Sequence, residues 1–522
     1  ITVNGSTADR TVKFMNGTEE AATETIANGE KLTNIPAAPA AANGQSFLGW
    51  YAVQGTDYLL DNVEETITGT EASTQTAITA DITYHAIWAS NAMIAAGYMT
   101  TNGTTSITGI SQSGNLQTLV TNCNGGTVKL LQDVILPNNT YLSVASGNTL
   151  TLDLNGKSLS GNGSVTQPGY FYVYKGVIDN AGTLSLVSTD VKKGTICLND
   201  QDGRMTERDD AAIIKNNGSM PLLQNIKVEF SSTASAAEIY GFRNEDDWMN
   251  DKTSTIGVLS DCDFNTPNCN CAFYSSNDSG GTIGTIQNSS FTGKTTAVSL
   301  NQATVKGIQN CNLTATDGTA LKLTSGTTVA SLTGGDITGA NGIQVENYYS
   351  NTATAFGVLT PTSVEGTNGY ALVVGGTNTD NNKMTVNLTG GKYKGTEGAL
   401  KLYTGATVTY PEGQKLLAGE NGWSTLQTGY SVTFLNADGS LLQQITCASG
   451  SSVTYTGETP TRAADENYVY TFANKWNTAA NGSGALYTGD TIENVTSDMT
   501  LYAQYTTASA KVVTVTIRGG AV

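Results

Sequence analysis

Apolar positions recur in a fixed phase through the middle of this chain. One six-residue pattern, apolar-x-x-small-x-apolar, returns as Leu259–Phe264, Ile286–Phe291, Ile308–Leu313, Leu332–Ile337, Leu359–Val364 and Leu388–Tyr393. Successive starts lie 27, 22, 24, 27 and 29 residues apart. Ten to thirteen residues after most of these starts comes a second short strand: Ala297–Leu300, Ala320–Leu323, Ala371–Val374 and Ala399–Leu402. The stretch before each hexad, such as Thr255–Val258, reads as a third strand. Short apolar strands in phase, separated by Gly/Asn/Thr turns, predict one coil of a β-solenoid per repeat. A single coil cannot bury its inward side chains, but stacked coils bury them along one axis. Insertions bulge from a turn without disturbing the stack, so coil length varies.

Two further features follow from this phase. Cys262 and Cys311 occupy the same inward slot two coils apart, with Ser289 between them. Strands stack about 4.8 Å apart, which puts the sulfurs about 10 Å from each other and predicts free thiols. Upstream, Leu116–Cys123 reads as one or two helical turns stopped by Gly125-Gly126, placed to cover the open end of the stack. Strand-like runs follow at Thr127–Leu136 and Thr149–Gly156. With its Leu-Asp-Leu-Asn-Gly phrase, the stretch from residue 113 to about 425 resembles the right-handed parallel β-helix segments of bacterial surface proteins.

The two ends differ from the middle and resemble each other. The first carries Thr11–Phe14, Phe47–Tyr51 and Ile82–Trp88; the last carries Ser431–Phe434, Tyr470–Trp476 and Val495–Tyr505. Both resemble the Listeria–Bacteroides (internalin B-type) repeat, a small β-grasp-like module. The C-terminal copy replaces the central Gly by Ala-Asn and the last Trp by Tyr505. The resemblance implies an extracellular bacterial protein whose modules space or present something else, with Trp50, Trp88 and Trp476 as module cores. The expected organisation is a repeat module at 1–92, a capping helix and parallel β-helix at 93–428, a second repeat module at 429–508 and a terminal strand at 509–522. That last strand alternates cleanly, with Val512, Val513, Val515 and Ile517 as candidates for pairing with a neighbouring subunit, as the shorter Ile1–Gly5 also is.

Composition agrees with an all-β chain. Of 522 residues only 13% are charged and 58 are glycine, while proline is scarce at 9. The net charge of −18 repels phosphate backbones and anionic lipid, so nucleic acid and membrane surfaces are excluded as expected partners. No apolar run is long enough to span a bilayer. The chain starts at Ile1 without Met, so an export signal or anchor is expected outside it. Seven Cys at irregular spacing with one His, His85, predict buried thiols rather than a disulfide framework or a metal site, and no cofactor is expected.

Candidate chemistry is thin. The acidic cluster Glu245–Asp251 offers Asp246, Asp247, Trp248 and Asp251 as a loop able to hold Ca²⁺ or stack on a sugar, and Arg204–Asp210 is a second acidic run. A solvated turn is the favoured reading of both. Glycoside hydrolysis needs two carboxylates at fixed separation. The outward positions Asp263, Asp336 and Glu365 are interleaved with Ser290, Asn312, Ser363 and Lys392, which breaks any carboxylate patch. The expectation is therefore a non-catalytic extracellular surface protein, structural or adhesive, whose partner is itself or a surface glycan or protein. The competing class is a polysaccharide lyase or glycoside hydrolase on the same fold.

Overall fold

A computed structural model describes residues 8–41, 45–53, 55–56, 58–60, 66–74, 76–90, 98–101, 107–111, 116–166, 173–199, 211–231, 239–246, 253–276, 281–348, 353–377, 383–465 and 468–506. The chain forms two compact units, Ile1–Val386 with Gly395–Thr407, and Asn387–Lys394 with Val408–Val522. Most of the first unit is a parallel β-solenoid with three strands per coil. In its first sheet Leu152, Leu186, Leu223, Leu259, Ile286, Ile308, Leu332 and Leu359 stand in one register column. In the second sheet the column runs Val134, Leu159, Ile196, Val228, Phe264, Phe291, Leu313, Ile337 and Val364. The hexad is therefore a corner, its first apolar residue closing one strand and its last standing inside the next.

The third hexad position explains how the corner turns. Asn225, Asp261, Asn288 and Asn310 hold φ between 50° and 58°, and Gly334 continues the column at 67°. These coils turn through a left-handed residue, and Asn, Asp and Gly are the types that take it at least cost; the fifth hexad, with Pro361 at this position, turns without one. The coils before Leu259 are longer, stepping 34, 37 and 36 residues along the first-sheet column. The corners after Leu152 and Leu186 are lengthened, to Leu159 and Ile196, and the coil from Leu223 is long elsewhere, which hides these coils from a search for a fixed period.

Inside the solenoid, like packs on like. Phe242 stacks on Phe273 at 5.2 Å and Phe264 on Phe291 at 4.9 Å, each pair one coil apart. A buried polar ladder runs beside them. Asn180 donates through Nδ2 to Asn216 at 2.7 Å, Asn216 to Asn244 at 2.6 Å, and Asn244 to the Ser275 hydroxyl at 3.0 Å. Because each amide both donates and accepts, the ladder leaves no buried group stranded between coils. All seven cysteines are free. Cys262 and Cys311 lie inward as expected, and the Ser289 hydroxyl between them accepts from the Cys262 N–H at 3.0 Å. Cys123 and Cys197 depart from the expectation and are only half-buried, because one ends the cap helix and the other faces outward beside Asn199.

The N-terminal module comprises β1 (Arg10–Asn16), β2 (Glu19–Ile26), β3 (Gln45–Val53), β4 (Leu59–Leu60), β5 (Thr66–Glu71) and β6 (Ile82–Ser90). β1 pairs antiparallel with β2 and parallel with β6, and β6 pairs antiparallel with β3. Next come β7 (Tyr98–Thr101), β8 (Ile107–Ser111), the cap helix α1 (Leu116–Asn122), β9 (Thr127–Leu130), β10 (Val134–Ile135), β11 (Leu142–Val144) and β12 (Thr149–Asp153). The stretch Thr127–Leu136 is thus two strands around a corner, and Thr149–Gly156 ends its strand at Asp153, where Asn155 and Gly156 turn left-handed. β5 pairs with β8 and β7 with both β8 and β9, so module and solenoid share backbone hydrogen bonds.

Two devices close this end of the stack. Leu116, Leu119 and Val120 of α1 are buried. Gln117 treats Ser143 of β11 as a strand would, its Nε2 donating to the Ser143 carbonyl at 2.9 Å and its Oε1 accepting from the Ser143 N–H at 2.7 Å. The second device is a buried lysine. Lys129, 2% exposed, donates to the Leu48 carbonyl at 2.8 Å and lies 3.3 Å from Glu71 and 3.4 Å from Asp153. Burial penalises its ammonium, but Glu71, Tyr51 and Asp153 together outweigh that and hold its proton above the ordinary lysine range. Asp153 also accepts from the Thr189 hydroxyl at 2.6 Å and from the Asn155 N–H at 2.8 Å. The aspartate of the Leu-Asp-Leu-Asn-Gly phrase therefore binds Lys129 on the preceding coil, its own turn and the next coil, and Lys129 carries the link to the module.

The second unit contains strands Ser424–Leu435, Leu441–Ala448, Thr471–Asn477 and Met499–Thr506, joined in the same order as β1, β2, β3 and β6. Phe434, Trp476 and Leu501 form its buried centre, as Phe14, Trp50 and Tyr84 do in the first module. The same polar bonds recur. Asp81 accepts from the Thr11 N–H at 2.9 Å, and Asp498 from the Ser431 N–H at 2.7 Å. Trp88 donates to Asn16 at 3.2 Å; Tyr505, in its place, donates through its hydroxyl to Asn436 at 2.8 Å. Residues 387–394 group with this unit, where Lys392 and Tyr393 of the sixth hexad pair antiparallel with Thr425 and Ser424.

Candidate functional site

The residues singled out from the sequence do not converge. Asp246 is buried at the foot of its loop, accepting from the Ser254 N–H at 2.7 Å and the Ser254 hydroxyl at 3.1 Å. A carboxylate bonded in this way pins the two ends of the loop together. Asp247, Trp248 and Asp251 lie outside the described residues, as do Arg204–Asp210, the strand bearing Val512, Val513, Val515 and Ile517, and Ile1–Gly5. His85 sits in β6 with its ring stacked on Tyr58 at 4.3 Å, and burial lowers its pKa.

The outward face of the second sheet spends its carboxylates on neighbours. Asp263 accepts from the Ser290 hydroxyl at 2.5 Å and Asp336 from the Ser363 hydroxyl at 2.6 Å, each across one coil step. Along this column Lys227, Asp263, Ser290 and Asn312 follow one another, so no two carboxylates occupy adjacent coils there. Among the described residues no group of three His, Cys, Asp or Glu side chains is placed to hold a metal ion. A cavity of about 520 Å³ beside α1 is lined by Leu116, Val134, Leu136, Pro137 and Tyr141 and offers no acid or base pair.

The third sheet shows a different surface. Lys215, Arg243, Tyr274, Ser299, Lys322, Gln344, Val373 and Lys401 form one outward column, one residue per coil. Three of its four cations lie against tyrosine rings. Arg243 is 5.2 Å from the Tyr240 ring and 5.7 Å from Tyr274, Lys322 is 5.9 Å from Tyr348, and Lys401 is 5.1 Å from Tyr370 and 5.2 Å from Tyr403. Carboxylates brace them, Glu245 at 2.8 Å from Arg243 and Glu346 at 3.3 Å from Lys322. On a chain of net charge −18 this is a local cationic and aromatic band. Its sequence signal is the central Lys of Ala320–Leu323 and Ala399–Leu402, legible only once the register between coils is known.

Comparison with known proteins places one part of the chain. Residues 430–504 match the model of the Listeria–Bacteroides repeat domain. Repeats of this kind occur in bacterial surface proteins. No curated protein and no solved structure matched the chain. The match covers strands of the second unit whose order β1, β2, β3 and β6 repeat, so the N-terminal module shares its topology on geometric grounds. No described helix is long and apolar enough to cross a membrane.

Proposed function

We propose that this protein is a non-catalytic structural or adhesive component of a bacterial cell surface, exposed outside the cell. The solenoid is its rigid rod, and the repeat modules at its two ends are spacers or joints. The carrying observation is the use made of the outward ionisable groups. Asp263, Asp336, Glu245 and Glu346 each bond a side chain of their own or an adjoining coil and none is paired with another acid, the reverse of the two opposed carboxylates that glycoside hydrolysis requires. The third-sheet band is the face such a rod would present to a surface glycan or protein.

The sharper form of the proposal is a self-assembling filament or surface-layer subunit, joined through terminal strands such as Lys511–Arg518. Sedimentation and negative-stain imaging test it: polymers that disappear when 511–522 are deleted support strand donation, and unchanged assembly of the truncated chain rejects it. Release of reducing sugar, or of unsaturated product from plant or host polysaccharides, would instead establish a lyase or hydrolase on this fold.

A further inference from the structure

The third sheet of the solenoid has two unlike ends. One of its inward columns runs from Val144 through Asn216, Ser275 and Leu323 to Val374 and Leu402. Every member up to Val374 is fully buried, and Leu402 is 48% exposed. The neighbouring inward column starts at Leu142 and is buried as far as Leu372, after which Leu400 is only half-buried. At the first end the cap helix lies against β11, and Gln117 occupies the Ser143 peptide. At the last end, among the described residues, the strand Gly398–Leu402 pairs with Tyr370–Val374 alone.

The backbone at this edge faces outward as well. The Tyr403 N–H donates to the Val374 carbonyl at 3.0 Å. Peptide groups alternate sides along a strand, so those of Leu400 and Leu402 turn away from Tyr370–Val374. Bare main-chain groups beside two under-buried leucines call for one more strand. That strand needs apolar residues two apart, to continue the Leu400 and Leu402 columns. Between them it needs an uncharged residue, because Lys401 stands at the intervening outward position and a second cation there would be repelled. Residues 507–522 lie outside the described residues, and their sequence meets both needs twice. Val513 and Val515 flank Thr514, and Val515 and Ile517 flank Thr516, whereas Ile1–Gly5 holds a single such triplet.

We propose that the strand Gly398–Leu402 is the acceptor for Lys511–Arg518 of a second copy of this chain. The donated strand extends the third sheet and lays Val513 and Val515, or Val515 and Ile517, over Leu400 and Leu402. This rests on the strand-donation form of the assembly proposed above and adds the place where the donated strand docks. Each copy then carries one donor and one such acceptor, which is what an open chain of identical subunits requires.

Two variants of the full chain separate the roles: Leu402→Lys spoils the acceptor and keeps the donor, and Val515→Lys does the reverse. Leu402 already meets water, so the melting curve of Leu402→Lys should match the parent's. In sedimentation velocity the parent should form polymers and each variant alone should stay monomeric. Their equimolar mixture should give a dimer and nothing larger, because only one productive junction is left. Hydrogen exchange supplies a second reading that needs no point substitution. The Leu400 and Leu402 amides should exchange slowly in the polymer and fast in the chain lacking 511–522. If that truncation abolishes polymers while Leu402→Lys polymerises normally, strand donation stands and this acceptor is wrong. Polymers of the truncated chain, or a parent that stays monomeric with both amides unprotected, overturn donor and acceptor together. A monomeric parent whose two amides are slow until 511–522 are removed would mean that the strand covers its own chain, which overturns the role of a second copy.

Discussion

The two repeat modules share one skeleton and differ in how its polar groups are satisfied. Both carry a positive-φ residue between a Phe and a Trp where the strand bulges, Gly49 at 146° in one and Asn474 at 52° in the other. Both anchor the last aromatic of the final strand to an asparagine, through an indole in one and a phenol in the other. They diverge at the central tryptophan, bonded in the first and unbonded in the second, and at Lys129, to which the second module has no counterpart among its described residues. The skeleton tolerates exchange of side chains as long as each donor keeps an acceptor of similar reach. The second module breaks that rule at Trp476, whose buried indole N–H has no acceptor.

The comparison can be broken most severely at the buried lysine. Lys129→Met leaves Glu71 and Asp153 without their cation, and should cost about 3–5 kcal/mol. Hydrogen exchange should then accelerate across β3, β9 and β12 while the second unit keeps its protection; equal loosening of both units would contradict a local lock. The bulge comes next. A Cβ on Gly49 would stand 2.8 Å from the Tyr51 ring in a backbone region essentially closed to other residues, so Gly49→Ala should cost about 1–3 kcal/mol or more. Asn474→Gly, which relieves a left-handed Asn, should stay within about 0.5 kcal/mol by denaturant unfolding.

The tryptophans sharpen the contrast further. Trp50→Phe deletes the bond to Pro36 and should destabilise its module by about 1 kcal/mol, whereas Trp476→Phe removes a stranded donor and should lie closer to neutral than Trp50→Phe. Paired melting curves of the two variants decide it, and a larger loss for Trp476→Phe would refute the orphaned donor. The smallest expected effect is at His85. Burial lowers its pKa, so the folded state favours neutral imidazole. Its contribution is present in full above the ordinary value of about 6.5 and is lost as pH falls through the lower folded value. As the sole histidine, its NMR titration midpoint reads this directly.

The solenoid makes a useful control, because its thiols face no such choice. Burial pushes Cys262 and Cys271 up to about 12 and Cys311 up to about 11. Native protein at pH 8 should leave all three unlabelled by a thiol reagent, and denaturation should release them.

Much of this architecture was legible because apolar phase is a one-dimensional signal. The Leu259-to-Leu359 column, the inward Cys262 and the cap helix follow from spacing, and the two aromatic modules from their resemblance to a known repeat. What escaped depends on partners distant in sequence. In Thr127–Leu130 alternation places Lys129 on the outward side, yet Val128, Lys129 and Leu130 are all buried because the N-terminal module covers that face. The cation column is equally hidden, since Lys215, Arg243 and Lys322 are neighbours only after coils of unequal length are stacked. The bond that lets Tyr505 replace Trp88 is likewise invisible without knowing where Asn436 lies.

Gln117 carries a last consequence. By offering Ser143 an amide in place of a peptide group, it withholds from the third sheet the free backbone pair on which another strand would template. A second rod approaching this end meets a terminated ladder there, so growth by stacking coil on coil through the third sheet is forbidden at this end.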